Sequence, residues 1–278
     1  MDTRIRNSLV VYLALTFALS TIFYVRSFSG APLGQVTPLL MWMPAVAAIV
    51  TQLVFYRTLA GLGWRPGPWR YFGLAILLPI VYCFMIYVPV WLTGLGQFRE
   101  GYLGRALPFI PKAFVFGLLL ALGEEIGWRG FLAPTFYRAL GFGWAGIGTG
   151  VIWGLWHVPL VVGGGYEAGT PLWYGVPLFM LSVTGMAVML AWLRLRSGSL
   201  WPAAFFHATH NLVIQGIFDG STINTGPTKW ITTEFGIGMA VVWVIMGVYF
   251  WRRRGELSAE PVISQPRPVV SEGTAAPA

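Results

Sequence analysis

This sequence has little charge. Only 10% of its 278 residues are Asp, Glu, Lys or Arg, whereas a soluble domain carries about a quarter. That shortage excludes an ordinary water-soluble globule. Cysteine is scarcer still: one residue, Cys83, so an internal disulfide is excluded and cysteine usage says nothing of the redox compartment. Cys83 lies within an apolar run and reads as a buried, inert thiol. There is no internal repeat, no nucleotide-binding glycine motif and no soluble domain in the pattern. Histidine occurs three times and acids ten times, so the position of each is informative.

What is abundant is apolar surface. The chain is 56% hydrophobic and 16% aromatic. Its apolar runs are long enough to cross a hydrocarbon core of roughly 30 Å as helices. Inside lipid every backbone group must be satisfied within the protein, which leaves helices or a closed barrel. The runs are continuous rather than alternating, which argues against a barrel. The expected fold is an all-α, polytopic membrane bundle of about eight helices. The segments fall near residues 9–25, 37–56, 71–95, 108–126, 144–163, 172–193, 199–218 and 234–251. The first lacks the small-residue cleavage site of a signal peptide. The stretch "GFLAPTFYRALGFG", Gly130 to Gly143, suits a short interfacial helix. Residues 1–254 are expected to form one integral membrane domain, and 255–278, rich in Pro, Ala and Ser, a disordered cytoplasmic tail.

The formal net charge of +8 does not call for a nucleic-acid partner, because arginines that flank membrane helices account for it. Arg4 and Arg6, then Arg57, Arg65 and Arg70, then Arg129 and Arg138, then Arg194 and Arg196, and finally Arg252, Arg253 and Arg254 fall in alternate loops. The opposite loops hold Arg26, Arg99, Arg105 and Lys229 with Glu100, Glu167 and Asp219. Positive charge stays inside, so both termini are expected in the cytoplasm. The compact chain suggests a prokaryotic cell membrane.

Most acids lie in loops or tails, but Glu124 and Glu125 belong to a membrane run, with Glu234 at a span margin. His157, His207 and His210 all fall inside expected spans. Intramembrane ionisable groups usually face a bundle interior or a wet cavity. At 1.5 Å per residue, Glu124 lies roughly 24 Å along its span, His157 roughly 20 Å and His207 roughly 12 Å. With antiparallel directions the three can share one layer. Residues four apart share a helix face. Glu125 and Arg129 therefore suit a structural salt bridge, which turns Glu124 about 100° away. His207 and Asn211 present two polar groups to one neighbour, and Trp153 packs one turn before His157. A single membrane histidine is equally well explained by a helix–helix hydrogen bond, and His210 is assigned that structural role. Four polar groups at compatible depth on three helices, Glu124, His157, His207 and Asn211, are harder to explain so.

"EEIGWR", "WGLWH" and "HATHN" occur in that order on successive spans. They resemble the Glu-Glu-x-x-x-Arg, Phe-x-x-x-His and His-x-x-x-Asn motifs of the CPBP family of intramembrane glutamic endopeptidases. That family includes the type II CAAX prenyl proteases and the Abi or bacteriocin-immunity proteins. Trp153 stands where the pattern has Phe. The resemblance spans about residues 108–215. It implies that Glu124 and His157 bind and activate a water, that His207 and Asn211 stabilise an oxyanion, and that Glu125, Arg129 and Trp153 support the geometry. It implies a peptide or lipidated-protein C-terminus as substrate, lipid as surroundings and no cofactor.

The chemistry is coherent on its own terms. No serine or cysteine sits beside a histidine as nucleophile, so water takes that part, with a carboxylate and a histidine as bases. A cavity open to the cytoplasm is expected to admit water and peptide. Three alternatives stand beside it. Glu124, His157 and His207 match a zinc ligand set, although no His-Glu-x-x-His helix is present. Buried Glu and His groups also serve proton-coupled transporters. A non-catalytic immunity or scaffold protein could keep the same fold.

Overall fold

The computed structural model describes residues 1–163 and 165–258. It is a helical bundle. In chain order come α1 (Thr3–Phe28), α2 (Leu33–Leu40), α3 (Met43–Tyr56), α4 (Trp69–Leu92), α5 (Tyr102–Ala106) and α6 (Ile110–Glu125). Then follow α7 (Ala133–Leu140), α8 (Thr149–Gly163), α9 (Leu172–Ser197), α10 (Trp201–Asn211), α11 (Thr228–Ile231) and α12 (Ile237–Arg252). Three π-helical stretches join them: Ile126–Leu132, Trp144–Gly148 and Leu212–Asp219. A small antiparallel pair, β1 (Gln97–Phe98) and β2 (Thr222–Ile223), ties two loops at one end.

Among the described residues, six helical stretches are long and apolar enough to cross a membrane. The two remaining expected segments are also helical, but shorter or more polar. One is α10 with its π-helical continuation, and the other is α12, of 16 residues, which begins at Ile237 rather than at 234. The helical bundle is as expected, with six rather than eight spans meeting that measure. The expected interfacial helix is α7, although Ala133 to Phe136 are buried in it. Most of the expected disordered tail lies outside the described residues. Its first residues continue a 3-10 turn, Arg253–Glu256, in which Arg253 donates to Glu256 at 2.6 Å.

Successive long helices run in opposite directions, which sorts the loops into two ends. The terminal end is fixed by contacts such as Arg4 to the Phe55 carbonyl at 2.7 Å, Trp201 to the Trp64 carbonyl at 2.6 Å and Trp192 to the Arg253 carbonyl at 3.1 Å. At the distal end the β-pair, Tyr102 donating to the Gly216 carbonyl at 2.8 Å and Lys229 donating to the Gly169 carbonyl at 2.6 Å hold the loops together.

Helix α9 is the central strut, buried along nearly all of its second half from Ser182 to Leu195. Large side chains such as Val115, Leu119, Leu77 and Trp173 point outward instead, the arrangement expected where lipid rather than water is the surroundings. Small residues let the backbones approach. The clearest case flanks the two acids: a Cβ on Gly123 would meet the Met41 carbonyl oxygen at 2.6 Å, and one on Gly127 would meet the Pro44 side chain at 2.5 Å. The "GEEIG" stretch is thus pressed onto the α2–α3 junction, where Pro44 opens α3. This contact fixes the end of α6 and therefore both carboxylates.

Candidate active site

A cavity of about 460 Å³ lies between α2, α6, α8, α9 and α10. Glu124, His157, His207 and Asn211 all line it, as do His210 and Glu234. Glu125 and Arg129 do not line it; they are fully buried behind its wall. Most of the remaining lining is apolar, including Leu40, Phe116, Leu120, Leu160, Phe179 and Met186. Both size and lining suit an organic ligand.

Glu124, His157 and His207 are each held in a definite orientation. Glu124 Oε2 accepts from Trp153 Nε1 at 2.6 Å and from Trp128 Nε1 at 3.3 Å. Among the described residues nothing donates to its Oε1. Trp153 is therefore more than the packing ring expected of it. Its indole N–H reaches a carboxylate 29 residues away in sequence, which a phenylalanine could not do. Its ring face also carries the Arg129 guanidinium, 4.1 Å from the centroid.

Arg129 Nη1 donates to Glu125 Oε1 at 2.8 Å. The same oxygen accepts from His207 Nδ1 at 2.9 Å. An ionised carboxylate can only accept, so Nδ1 of His207 carries a proton and the other ring nitrogen, Nε2, is free of this contact. His157 is turned by a different partner. Its Nδ1 donates to the Trp153 carbonyl at 2.9 Å, one turn back on α8. That carbonyl fixes the tautomer of a neutral imidazole, with the lone pair on Nε2. Asn211 lies one turn beyond His207 on the same face, half-buried, and its side chain makes no hydrogen bond to another described residue. Its amide is available to a ligand.

His210 takes part in a second polar cluster on the distal wall. Its Nδ1 pairs with the Tyr82 hydroxyl, and its Nε2 donates to Glu234 Oε1 at 3.0 Å. Gln215 Nε2 donates to Glu234 Oε2 at 3.0 Å, and the Tyr166 hydroxyl donates to the same oxygen. Glu234 lies in the loop before α12. Burial pushes its carboxyl up, but the bonds from His210, Tyr166 and Gln215 outweigh burial and hold it down to about 2. Glu234, Tyr166, Gln215 and Trp128 were not singled out as site residues from the sequence. Only Glu234 left a signal, as a rare acid at a span margin; its pairing with His210 bridges 24 residues and has no helical period to reveal it.

The cavity has a closed end and an open one. Toward the terminal end it stops on Trp128, Arg129, Phe131 and Leu132, all buried. Below them Arg194 Nε donates to the Arg129 carbonyl at 2.9 Å and its Nη2 to the Gly61 carbonyl at 3.1 Å, which seals the floor. Toward the distal end exposure rises along both walls, from buried Glu124 through Leu120 to exposed Phe116 and Ala113, and from buried His207 through Asn211 to exposed Gln215. The cavity therefore extends from the two carboxylates toward the distal end.

Among the described residues no group of three His, Cys, Asp or Glu side chains is arranged to hold a metal ion. Glu124, His157 and His207 share the cavity, but Glu124 Oε2 is taken by two indoles and His207 Nδ1 by Glu125.

Residues 106–213 match the family model described as type II CAAX prenyl endopeptidase Rce1-like. A curated relative, CAAX prenyl protease 2 of Methanococcus maripaludis, is 32% identical over 144 residues, which is 49% of this chain and 52% of that protein. The matched stretch thus spans about half the length of the relative. Glu124, Glu125, Arg129, Trp153, His157, His207 and Asn211 all fall inside the matched region, and in sequence this core of the chain is similar to the Rce1-like type II CAAX prenyl endopeptidases.

Proposed function

We propose that this protein is an intramembrane endopeptidase that hydrolyses a peptide bond with a water activated by Glu124 and His157. The observation that carries the proposal is the convergence of Glu124, His157, His207 and Asn211 on one cavity, each with an atom left for a ligand. Peptide hydrolysis needs a base for the water and donors for the oxygen that becomes negative. Glu124 Oε1 and His157 Nε2 supply the first. The water oxygen bonds to the carbonyl carbon, and its proton passes to this pair. His207 Nε2 and the Asn211 amide supply the second, donating to the tetrahedral oxyanion. Collapse breaks the C–N bond, and the leaving amine takes the proton. The products are a carboxylate and a new amino terminus.

The Glu125 contact gives His207 its part. With Nδ1 donating to Glu125, Nε2 donates as well only when the ring is an imidazolium. Glu124 and Glu125 then carry two negative charges, and Arg129 and His207 two positive ones. A buried site balanced in this way avoids an uncompensated charge in a low dielectric. The apolar wall from Leu40 to Met186 suits a peptide with apolar side chains or an attached lipid. No step in this scheme calls for a metal.

The test uses purified protein in detergent against a quenched CAAX-type peptide, with and without an isoprenoid, and a quenched peptide library. Cleavage by the wild type that persists after exhaustive chelation and vanishes in Glu124→Ala supports the proposal. Loss of activity on chelation with recovery on zinc supports the metal-dependent alternative. Proton-coupled transport in proteoliposomes without cleavage supports the transporter, and no cleavage of any peptide by folded protein supports the scaffold.

A further inference from the structure

Three features of the distal wall converge on Glu234. The first is the reach of its carboxylate. Oε1 accepts from His210, the neighbour of Asn211 on α10, and Oε2 accepts from Gln215 and Tyr166. Tyr166 follows α8, and its ring centroid lies 6.1 Å from that of His157. One carboxylate thus ties the helix that carries His207 and Asn211 to the segment packed beside His157. Phe235 adds apolar contact at the same place, 5.5 Å from the Tyr166 ring and stacked on Phe179 at 5.0 Å. The second feature is the backbone that delivers Glu234. Thr233, just before it, has a φ of 64°. A β-branched residue rarely adopts that conformation, which persists only where the surroundings over-determine it. Here the Thr233 N–H donates to the Tyr87 hydroxyl at 3.0 Å, and Thr233 Oγ1 accepts from the Phe235 N–H at 3.2 Å. The third feature is space. Glu234, Tyr166 and Gln215 line both the cavity that holds Glu124 and a neighbouring polar cavity of about 310 Å³. With space on either side, hydrogen bonds hold this partition more than close packing does.

We propose that Glu234 is a positioning residue for both halves of the reaction centre. Through Tyr166 it holds the His157 ring in place, and through His210 it fixes the rotation of α10 and with it the Asn211 amide. The reaction itself rests on the function proposed above. Both Glu234 oxygens are already engaged, so the residue acts through its neighbours. His210 is held at both ring nitrogens, by Tyr82 on α4 and by Glu234. His207 has its own anchor in Glu125. The Asn211 side chain bonds no described residue, so the setting of α10 decides where its amide lies. A side-chain atom roughly 6 Å from a helix axis moves about 1 Å when the helix turns by about 10°. A displacement of about 1 Å at a reaction centre can cost about 10²-fold in rate.

The test combines kinetics with ring spectra of the full-length protein in detergent. Glu234→Gln keeps the size of the side chain but gives up one acceptor oxygen. It should lower kcat by about 10- to 100-fold and change KM by less than about threefold. A raised KM with unchanged kcat would mean that Glu234 binds substrate directly, and overturns the proposal. In Asn211→Ala protein, whose amide is already gone, the same substitution should cost a smaller factor than in wild type. An equal factor in both backgrounds overturns the α10 half of the proposal. Tyr166→Phe removes a hydroxyl without changing charge and serves where the carboxylate variant fails to fold. The chain has three histidines, so nitrogen NMR of isotope-labelled histidine shows three rings. In Tyr166→Phe the His157 signals should shift or broaden, while those of His207, anchored by Glu125, stay in place. Unchanged His157 signals overturn the His157 half. The ring spectra need no catalysis. If wild-type protein cuts no peptide, the peptidase reading fails, and the spectra still decide whether the Glu234–Tyr166 bond holds His157.

Discussion

Arg129→Met is the perturbation whose cost follows most directly from the packing. Glu125 and Arg129 are both fully buried, their ion pair is 2.8 Å long, and the same carboxylate holds His207. Methionine fills most of the arginine volume without its charge, so the loss is chiefly electrostatic. Removing one partner of a buried pair costs about 3–5 kcal/mol, because the other charge is left uncompensated. For a chain of this size that is a fall in Tm of roughly 6–20 °C, at about 2–4 °C per kcal/mol. The lost contact with the Trp153 ring adds to it. In Glu125→Gln/Arg129→Met the stranded charge is gone, while the glutamine carbonyl can still accept from His207. The double variant should recover at least about 1 kcal/mol relative to the single one, a coupling usual for residues in direct contact. The assay is thermal unfolding of detergent-solubilised protein followed by tryptophan fluorescence. A single variant as stable as wild type, or a double variant no better than the single, would refute the view that this pair holds its place by mutual compensation of buried charge.

Glu124→Gln should keep both indole hydrogen bonds at Oε2 and leave Tm nearly unchanged, while peptide cleavage falls by about 10²–10⁴-fold with the loss of a general base. Trp153→Phe removes one hydrogen bond to a charged group, worth about 1.5–3 kcal/mol; cleavage should fall mainly in kcat, and unchanged kcat would show that the bond does not position Glu124. A pH effect is expected at the distal wall. Glu234 is held at about 2, below its ordinary 4.5, so its share of stability is present above pH 4.5 and is lost as pH falls toward 2. In Glu234→Gln the decline in Tm over that interval should be shallower than in wild type, and equal slopes would count against the cluster.

The distribution of information between sequence and fold follows from the range of the forces involved. The solvent alone makes the fold class readable, since a chain so poor in charge and rich in continuous apolar runs must satisfy its backbone within helices. Helical periodicity likewise foretells that Glu125 and Arg129 meet and that His207 and Asn211 share a face, because such pairs are one turn apart. The order of the three motifs picks out the residues that line the cavity. What tertiary structure alone decides lies between helices. Glu125 reaches His207 across 82 residues, Trp153 donates to Glu124 across 29, and Arg194 closes the floor beneath Arg129 across 65. The direction in which the cavity extends belongs to the same class. A cavity opens where side chains from several helices fail to meet, and no single helix carries that information in its own period.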